Sequence, residues 1–170
     1  MKKLLLVFTG LLIASLSYSQ GLVHVKGQNA LDLRYFHAGN GKAYELGYAR
    51  FLKDNFIFKS GLNYEKGKIG LTEYSDISLK LTPEYTLYTM FSKIFFNASL
   101  PILGTIQNTI NPEYTSSVPY FIYGFGIGGE IEYYPISNIA LVIEAYELFT
   151  NNNKFGKFHY QIGGGLRINL

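Results

Sequence analysis

The chain has 170 residues, room for one domain and little else. Its formal net charge of +3 falls close to neutral once the two lysines of the N-terminal segment are set aside, and no basic cluster interleaves with aromatics, so direct nucleic-acid binding finds no support. The absence of cysteine excludes disulfides, cysteine-ligated metal, a thiol nucleophile and a lipoprotein anchor.

The N-terminus reads as a secretory signal. Lys2 and Lys3 form a positive n-region, residues 4–14 an apolar stretch broken only by Thr9 and Gly10, and Ser17-Tyr18-Ser19 a small-x-small cleavage site before Gln20. The apolar run is too short for a spanning helix, which needs roughly 20 apolar residues. The expected organisation is a cleaved signal peptide at 1–19 and a single domain at 20–170. Residues 21–27 read as a short lead-in.

From there the pattern is period two. The first strand, 28–37, sets Leu31, Leu33 and Tyr35 against Asp32 and Arg34. Ala38-Gly39-Asn40-Gly41 is a tight turn, because Asn-Gly tolerates the positive φ that a two-residue hairpin demands. The second strand, 42–52, opposes Tyr44, Leu46 and Tyr48 to Ala43, Glu45, Gly47 and Ala49, and Lys53-Asp54-Asn55 turns the chain back. The third, 56–65, opposes Phe56, Phe58, Leu62 and Tyr64 to Lys59, Gly61, Asn63 and Glu65. A polar connection is expected at 66–76.

The fourth strand, from 77, alternates Ile77, Leu79, Leu81, Tyr85 and Leu87 with Ser78, Lys80, Thr82, Glu84 and Thr86. Pro83 interrupts it and predicts a bulge or kink, since proline deletes a ladder hydrogen bond. The fifth, 94–102, follows the Ser92-Lys93 turn and is ended by Pro101. Residues 103–117, rich in Asn, Thr and Ser, are expected to form the longest loop, and a loop of that length is usually exposed or binding. The sixth strand, 119–134, opposes Phe121, Tyr123, Phe125, Ile127, Ile131 and Tyr133 to Gly124, Gly126, Gly128, Glu130 and Glu132. The seventh, 139–149, is undecided in its facing, because Val142 and Ile143 are both apolar and Glu144 and Glu147 have opposite parity. The last, 155–170, opposes Phe158, Tyr160, Ile162, Leu166, Ile168 and Leu170 to Lys157, His159, Gln161, Gly163, Gly165, Arg167 and Asn169.

These elements predict an all-β fold, an eight-stranded antiparallel up-and-down transmembrane β-barrel preceded by a cleaved signal peptide. Each strand is long enough to cross a membrane tilted, which takes roughly 9–11 residues. The greasy faces would meet outer-membrane lipid, with 15 tyrosines and 13 phenylalanines available to band at its interfaces. An even strand number puts both termini in the periplasm, with the short turns there and the longer loops outside. A soluble periplasmic barrel for an apolar ligand would show the same alternation with the aromatic faces turned inward.

Asp32, Arg34, Glu45, Lys59, Lys80, Glu84, Glu130, Glu132, Lys157, His159 and Arg167 form the inward polar set. An eight-stranded lumen is just wide enough for side chains to fill it, so these groups are expected to pair with one another rather than hold a ligand. Glu130 and Glu132 would repel without a cation between them, for which Lys157 and Arg167 are the candidates. His159 lies on the polar parity, not on the membrane face where a lipid-A-modifying barrel enzyme would need it. His24, His37 and His159 are too far apart in sequence for a ligand motif. No catalytic residue, metal or cofactor is expected.

Phe121-Ile122-Tyr123-Gly124, Glu130-x-Glu132-x-Tyr134, Ala145-x-Glu147 and Gly156-Lys157-Phe158-His159-x-Gln161-x-Gly163-x-Gly165 resemble the TraO proteins of conjugative transposons. The resemblance covers roughly the last fifty residues, together with the leader and the strand layout. It implies a non-enzymatic outer-membrane component of a conjugation apparatus, partnered by other proteins of that apparatus. A generic small barrel of structural or adhesive role is the alternative.

Overall fold

A computed structural model describes residues 23–110, 119–151 and 157–170. The leader expected at 1–19, part of the loop expected at 103–117 and most of the asparagine-rich connection lie outside the described residues.

The chain forms strands β1 (Asn29–Ala38), β2 (Gly41–Lys53), β3 (Phe56–Ile69), β4 (Thr72–Met90), β5 (Ile94–Ser99), β6 (Ile102–Ile110), β7 (Tyr120–Ile136), β8 (Ile139–Thr150) and β9 (Phe158–Asn169). All neighbours pair antiparallel, and β9 pairs with β1, closing the sheet. Closure removes the unpaired strand edges that an open sheet would expose.

β5 and β6 share one position in this ring. Both lie between β4 and β7, and their registers are continuous: Glu84↔Ser99 and Leu81↔Ile102 on one side, Ser99↔Gly128 and Ile102↔Phe125 on the other. The barrel is therefore eight-stranded, with one strand broken at Leu100-Pro101. The break has a simple cause. Leu100 N–H donates to Pro83 O at 3.1 Å and Gly126 N–H donates to Pro101 O at 2.7 Å. Neither proline has an N–H to return. Two rungs on opposite sides of the same strand are thus halved at adjacent positions.

Three expectations are corrected here. The connection at 66–76 is strand: β3 and β4 continue in register to Ile69↔Thr72 and leave only Gly70-Leu71 as the turn. The described part of the 103–117 loop, 103–110, is all strand β6. Pro83 causes no bulge against β3, whose register runs through Phe58↔Pro83; the irregularity of β4 lies between Thr86 and Tyr88, on the β5 side. The facing of β8 is settled, with Val142, Glu144, Tyr146 and Leu148 inside and Glu147 outside.

The outer surface carries exposed Leu33, Leu46, Leu62, Leu79, Ile106, Phe125, Ile143 and Ile162, one from each position of the ring, so the apolar belt is continuous around it. The inside is layered. At the rim that carries the turns after β2, β4 and β7, the turn rim, Phe51 and Ile57 form one buried apolar cluster and Phe95, Tyr134 and Val142 another. Charged residues fill the middle. Above them Phe36, Tyr146 and Leu148 form a second apolar layer. Glycines make this filling possible: a Cβ on Gly128 would run into the Tyr146 ring, and one on Gly126 into Leu148 and Pro101.

Candidate functional site

Ion pairing dominates the middle layer. β1 contributes Asp32 and Arg34, two residues apart and therefore on one face. Arg34 donates to Asp32 Oδ2 at 2.8 Å and to Glu130 Oε2 at 2.6 Å, and pairs also with Glu144. Arg167 comes from β9, the neighbouring strand across the closure. Its Nε and Nη2 grip Asp32 in a two-point bond at 2.8 and 3.1 Å, while Nη1 lies 2.7 Å from Glu132 and 3.2 Å from Glu130. Lys59 reaches Glu84 at 2.5 Å, Glu130 at 2.7 Å and Glu144 at 3.1 Å. Lys80 pairs with Glu45 and sits over the rings of Phe36 and Tyr146, 4.7 and 4.6 Å from their centroids.

Arg167 is thus the cation between Glu130 and Glu132. Lys157 is not: it precedes β9, lies exposed at the loop rim, and belongs outside the inward set in which the sequence pattern placed it. The strand's pairing explains this, since Lys157 offers its carbonyl to Thr150 N–H just beyond the last paired residues, where the barrel wall has ended. Asp32, Arg34, Glu45, Lys59, Lys80, Glu84, Glu130, Glu132 and Arg167 are all buried inside, and His159 is half-buried at the loop rim.

Glu84, Glu130 and Glu132 bring carboxylate oxygens within 4.8 Å of one another, close enough to share a metal ion. Lys59 and Arg167 already stand among them as counterions. The trio therefore reads as part of the ion-pair network, not as a metal centre.

Two participants were not legible in the pattern. Glu144, from β8, bonds both Arg34 and Lys59. His24, from the lead-in, folds up into the turn-rim end of the barrel: its ring stacks on Phe95 at 3.8 Å between centroids and its Nε2 lies 3.1 Å from Glu132 Oε2. Tyr134 and Asn97 donate to the same carboxylate at 2.7 and 2.5 Å. Glu132 is thereby surrounded by donors on every side.

A separate polar group lies at the loop rim, above the second apolar layer. Glu65 of β3 accepts from Tyr74 OH at 2.8 Å and from Gln161 Nε2 at 3.1 Å, with His159 Nε2 at 3.2 Å. Its strand partner Asp76 accepts from Gln107 Nε2 at 3.0 Å. These residues line a cavity of about 240 Å³ that opens at this rim.

The sequence matches no family model and no curated protein. Its fold is that of outer-membrane β-barrels. The N-terminal β-barrel domain of Pseudomonas aeruginosa OprF is similar over 85% of this chain and 98% of that one, with a TM-score of 0.65 at 16% identity. Neisserial surface protein A is similar over 84% and 96%, with a TM-score of 0.68 at 13% identity. Ail, the attachment invasion locus protein of Yersinia pestis, is similar over 85% and 100%, with a TM-score of 0.52 at 9% identity.

Proposed function

We propose that this protein is a non-enzymatic barrel of the outer membrane, of structural or adhesive role, with its turn rim and both termini in the periplasm and its loop rim facing out. The observation that carries the reading is the division of the sheet into two surfaces. Exposed leucine, isoleucine, phenylalanine and tyrosine ring the outside, while buried carboxylates, guanidiniums and ammoniums fill the inside. A water-soluble barrel has no use for a belt of that kind, which in water would drive aggregation; hydrocarbon solvates it. The inward-aromatic arrangement of a soluble apolar-ligand carrier is opposite to the one described.

Spin labels on cysteines introduced at Ile162 and Gln161 test the reading cleanly, because the chain has no cysteine of its own. In bilayers the label at 162 should be quenched by lipid-soluble oxygen and the label at 161 should be shielded. The reverse pattern would defeat the proposal, as would a processed chain that fractionates as soluble without detergent.

A second reading, a component of a conjugation apparatus, is supported by the Gly156-Lys157-Phe158-His159-x-Gln161 stretch and the motifs of β7 and β8 that resemble the TraO proteins. Deleting the gene should then lower mating frequency. Unchanged transfer in the deletion strain would leave the generic barrel as the better description.

A further inference from the structure

We propose that the outer wall beside the β1–β2 hairpin carries a binding site for the phosphomonoester head group of an anionic lipid, an inference that rests on the outer-membrane reading above. The registers of four neighbouring strands create it. His37 of β1 stands opposite Lys42 of β2, Lys42 opposite Lys66 of β3, and Lys66 opposite Ser75 of β4. Their chain neighbours Phe36, Ala38, Ala43, Glu65 and Tyr74 are buried inside, so the row itself faces outward, and His37, Lys42 and Lys66 are exposed. Every member of the row offers a hydrogen-bond donor and none carries negative charge. Like charges directly opposed across strands weaken a sheet. Lys68, the next outward residue of β3, is held by Glu73 at 3.8 Å, whereas among the described residues no carboxylate pairs with Lys42 or Lys66. An anion bound between them would remove that repulsion.

Position along the strands identifies the anion as part of a lipid. Two residues nearer the turn rim, Tyr35, Tyr44 and Tyr64 stand in register, the first two with ring centroids 5.3 Å apart. Two residues further, Leu33, Leu46 and Leu62 do the same. Leucine marks hydrocarbon and tyrosine its interface, and at about 3.4 Å per residue the lysines lie about 7 Å beyond the tyrosines along the strand, at the level of head groups. Acyl chains on the leucine and tyrosine rows would thus hold a phosphate against the cations. Adjacent strands are about 4.8 Å apart, so both ammoniums can reach one phosphate. A phosphomonoester carries roughly −1.5 to −2 charges at neutral pH, enough to match two ammoniums; a phosphodiester would leave one lysine uncompensated. The His37 ring and the Ser75 hydroxyl flank the pair and can donate to the remaining oxygens. The turn-rim end of β2 lacks this arrangement, since its outward Arg50 is opposed by Asn29 and Phe58.

The test is isothermal titration of the folded barrel in nonionic micelles with dioctanoyl phosphatidic acid, using dioctanoyl phosphatidylglycerol, dioctanoyl phosphatidylcholine and inorganic phosphate as comparisons. Phosphatidic acid should bind saturably at one site, phosphatidylglycerol more weakly, and phosphatidylcholine and inorganic phosphate should not compete. Lys42→Gln and Lys66→Gln should each weaken binding about fivefold and the double variant about twenty-five-fold, the loss expected for one and for two cations at a lipid surface. Lys53→Gln, which removes an exposed cation at the turn rim, should leave it unchanged. Heat-modified electrophoretic mobility reports whether each variant is folded, and a fall in affinity with added salt on the unmodified barrel needs no variant. Equal binding of phosphatidylcholine or phosphatidylglycerol, displacement by equimolar inorganic phosphate, an equal loss in Lys53→Gln, or no saturable binding would each overturn the assignment. Placement in the membrane is read separately by the label at 162: a barrel quenched there that does not select phosphatidic acid loses the lipid site alone.

Discussion

Arg167 is the residue on which most of the interior charge converges. It is fully buried and touches Asp32, Glu130 and Glu132. Removing one member of a buried ionic cluster strands its partners, at a cost of roughly 3–5 kcal/mol. Arg167→Ala should therefore lower the unfolding free energy of the barrel in detergent by that amount, read as a fall in the urea midpoint, and adding Glu132→Gln should recover part of it by leaving one carboxylate fewer without a cation. Asp32, Arg34 and Arg167 could be placed from the sequence because each sits in a strand whose opposite parity holds no charged residue. Glu144 could not, because Val142 lies inside beside it and blurs the alternation. His24 carries no local signal at all: its place depends on the lead-in folding back beneath the rim, a tertiary contact that no periodicity encodes.

Turns and breaks decide the behaviour of single elements. Between β4 and β5 the chain reverses through Phe91 and Ser92, both at φ 53°, closed by Lys93 N–H donating to Met90 O at 3.2 Å. Positive φ at both central positions is what a two-residue reversal between twisted strands needs, but each non-glycine residue there costs about 1–2 kcal/mol of backbone strain. Ser92→Gly should stabilise the barrel by about 1 kcal/mol, read as a rise in the urea midpoint with an unchanged slope. Pro83→Ala makes a contrasting case. The alanine N–H would gain Leu100 O, worth about 1 kcal/mol, while the unfolded chain would regain freedom worth about as much. The net change should stay within about 0.5 kcal/mol, and a larger loss would mean that the proline shapes the break for another reason. Element by element, the short turns were legible because Asn-Gly and Lys-Asp-Asn announce themselves. Residues 103–110 were not, since their Asn and Thr content reads as loop while their backbone completes the strand that Pro101 interrupts.

At the scale of the whole barrel, the layers leave no continuous aqueous path among the described residues. Phe51, Phe95 and Tyr134 close the turn-rim end, the ion pairs fill the middle, and Phe36, Tyr146 and Leu148 lie above them. Single-channel recording in planar bilayers should show no large stable conductance, in keeping with a ring of eight strands whose side chains occupy the lumen. A steady open level of porin size would mean that this interior rearranges in the membrane. The sorting of leucines and glutamates onto opposite faces was legible from alternation, because a one-residue slip would exchange the two faces; which face points outward was not, because a soluble barrel would alternate in the same way. The loop-rim cavity was not, because Glu65, Asp76 and Gln161 come from distant parts of the chain and meet only once the ring has formed.

The seam between β1 and β9 has a consequence for biogenesis. Asp32 and Arg167 stand on the first and last strands, 135 positions apart in the chain, and clasp each other across the point where the cylinder shuts. A polypeptide cut short before β9 would present the envelope with bare interior acids and two unpaired edges. The final strand therefore completes two things at once, the hydrogen-bonded ring and the neutralisation of the acids inside it.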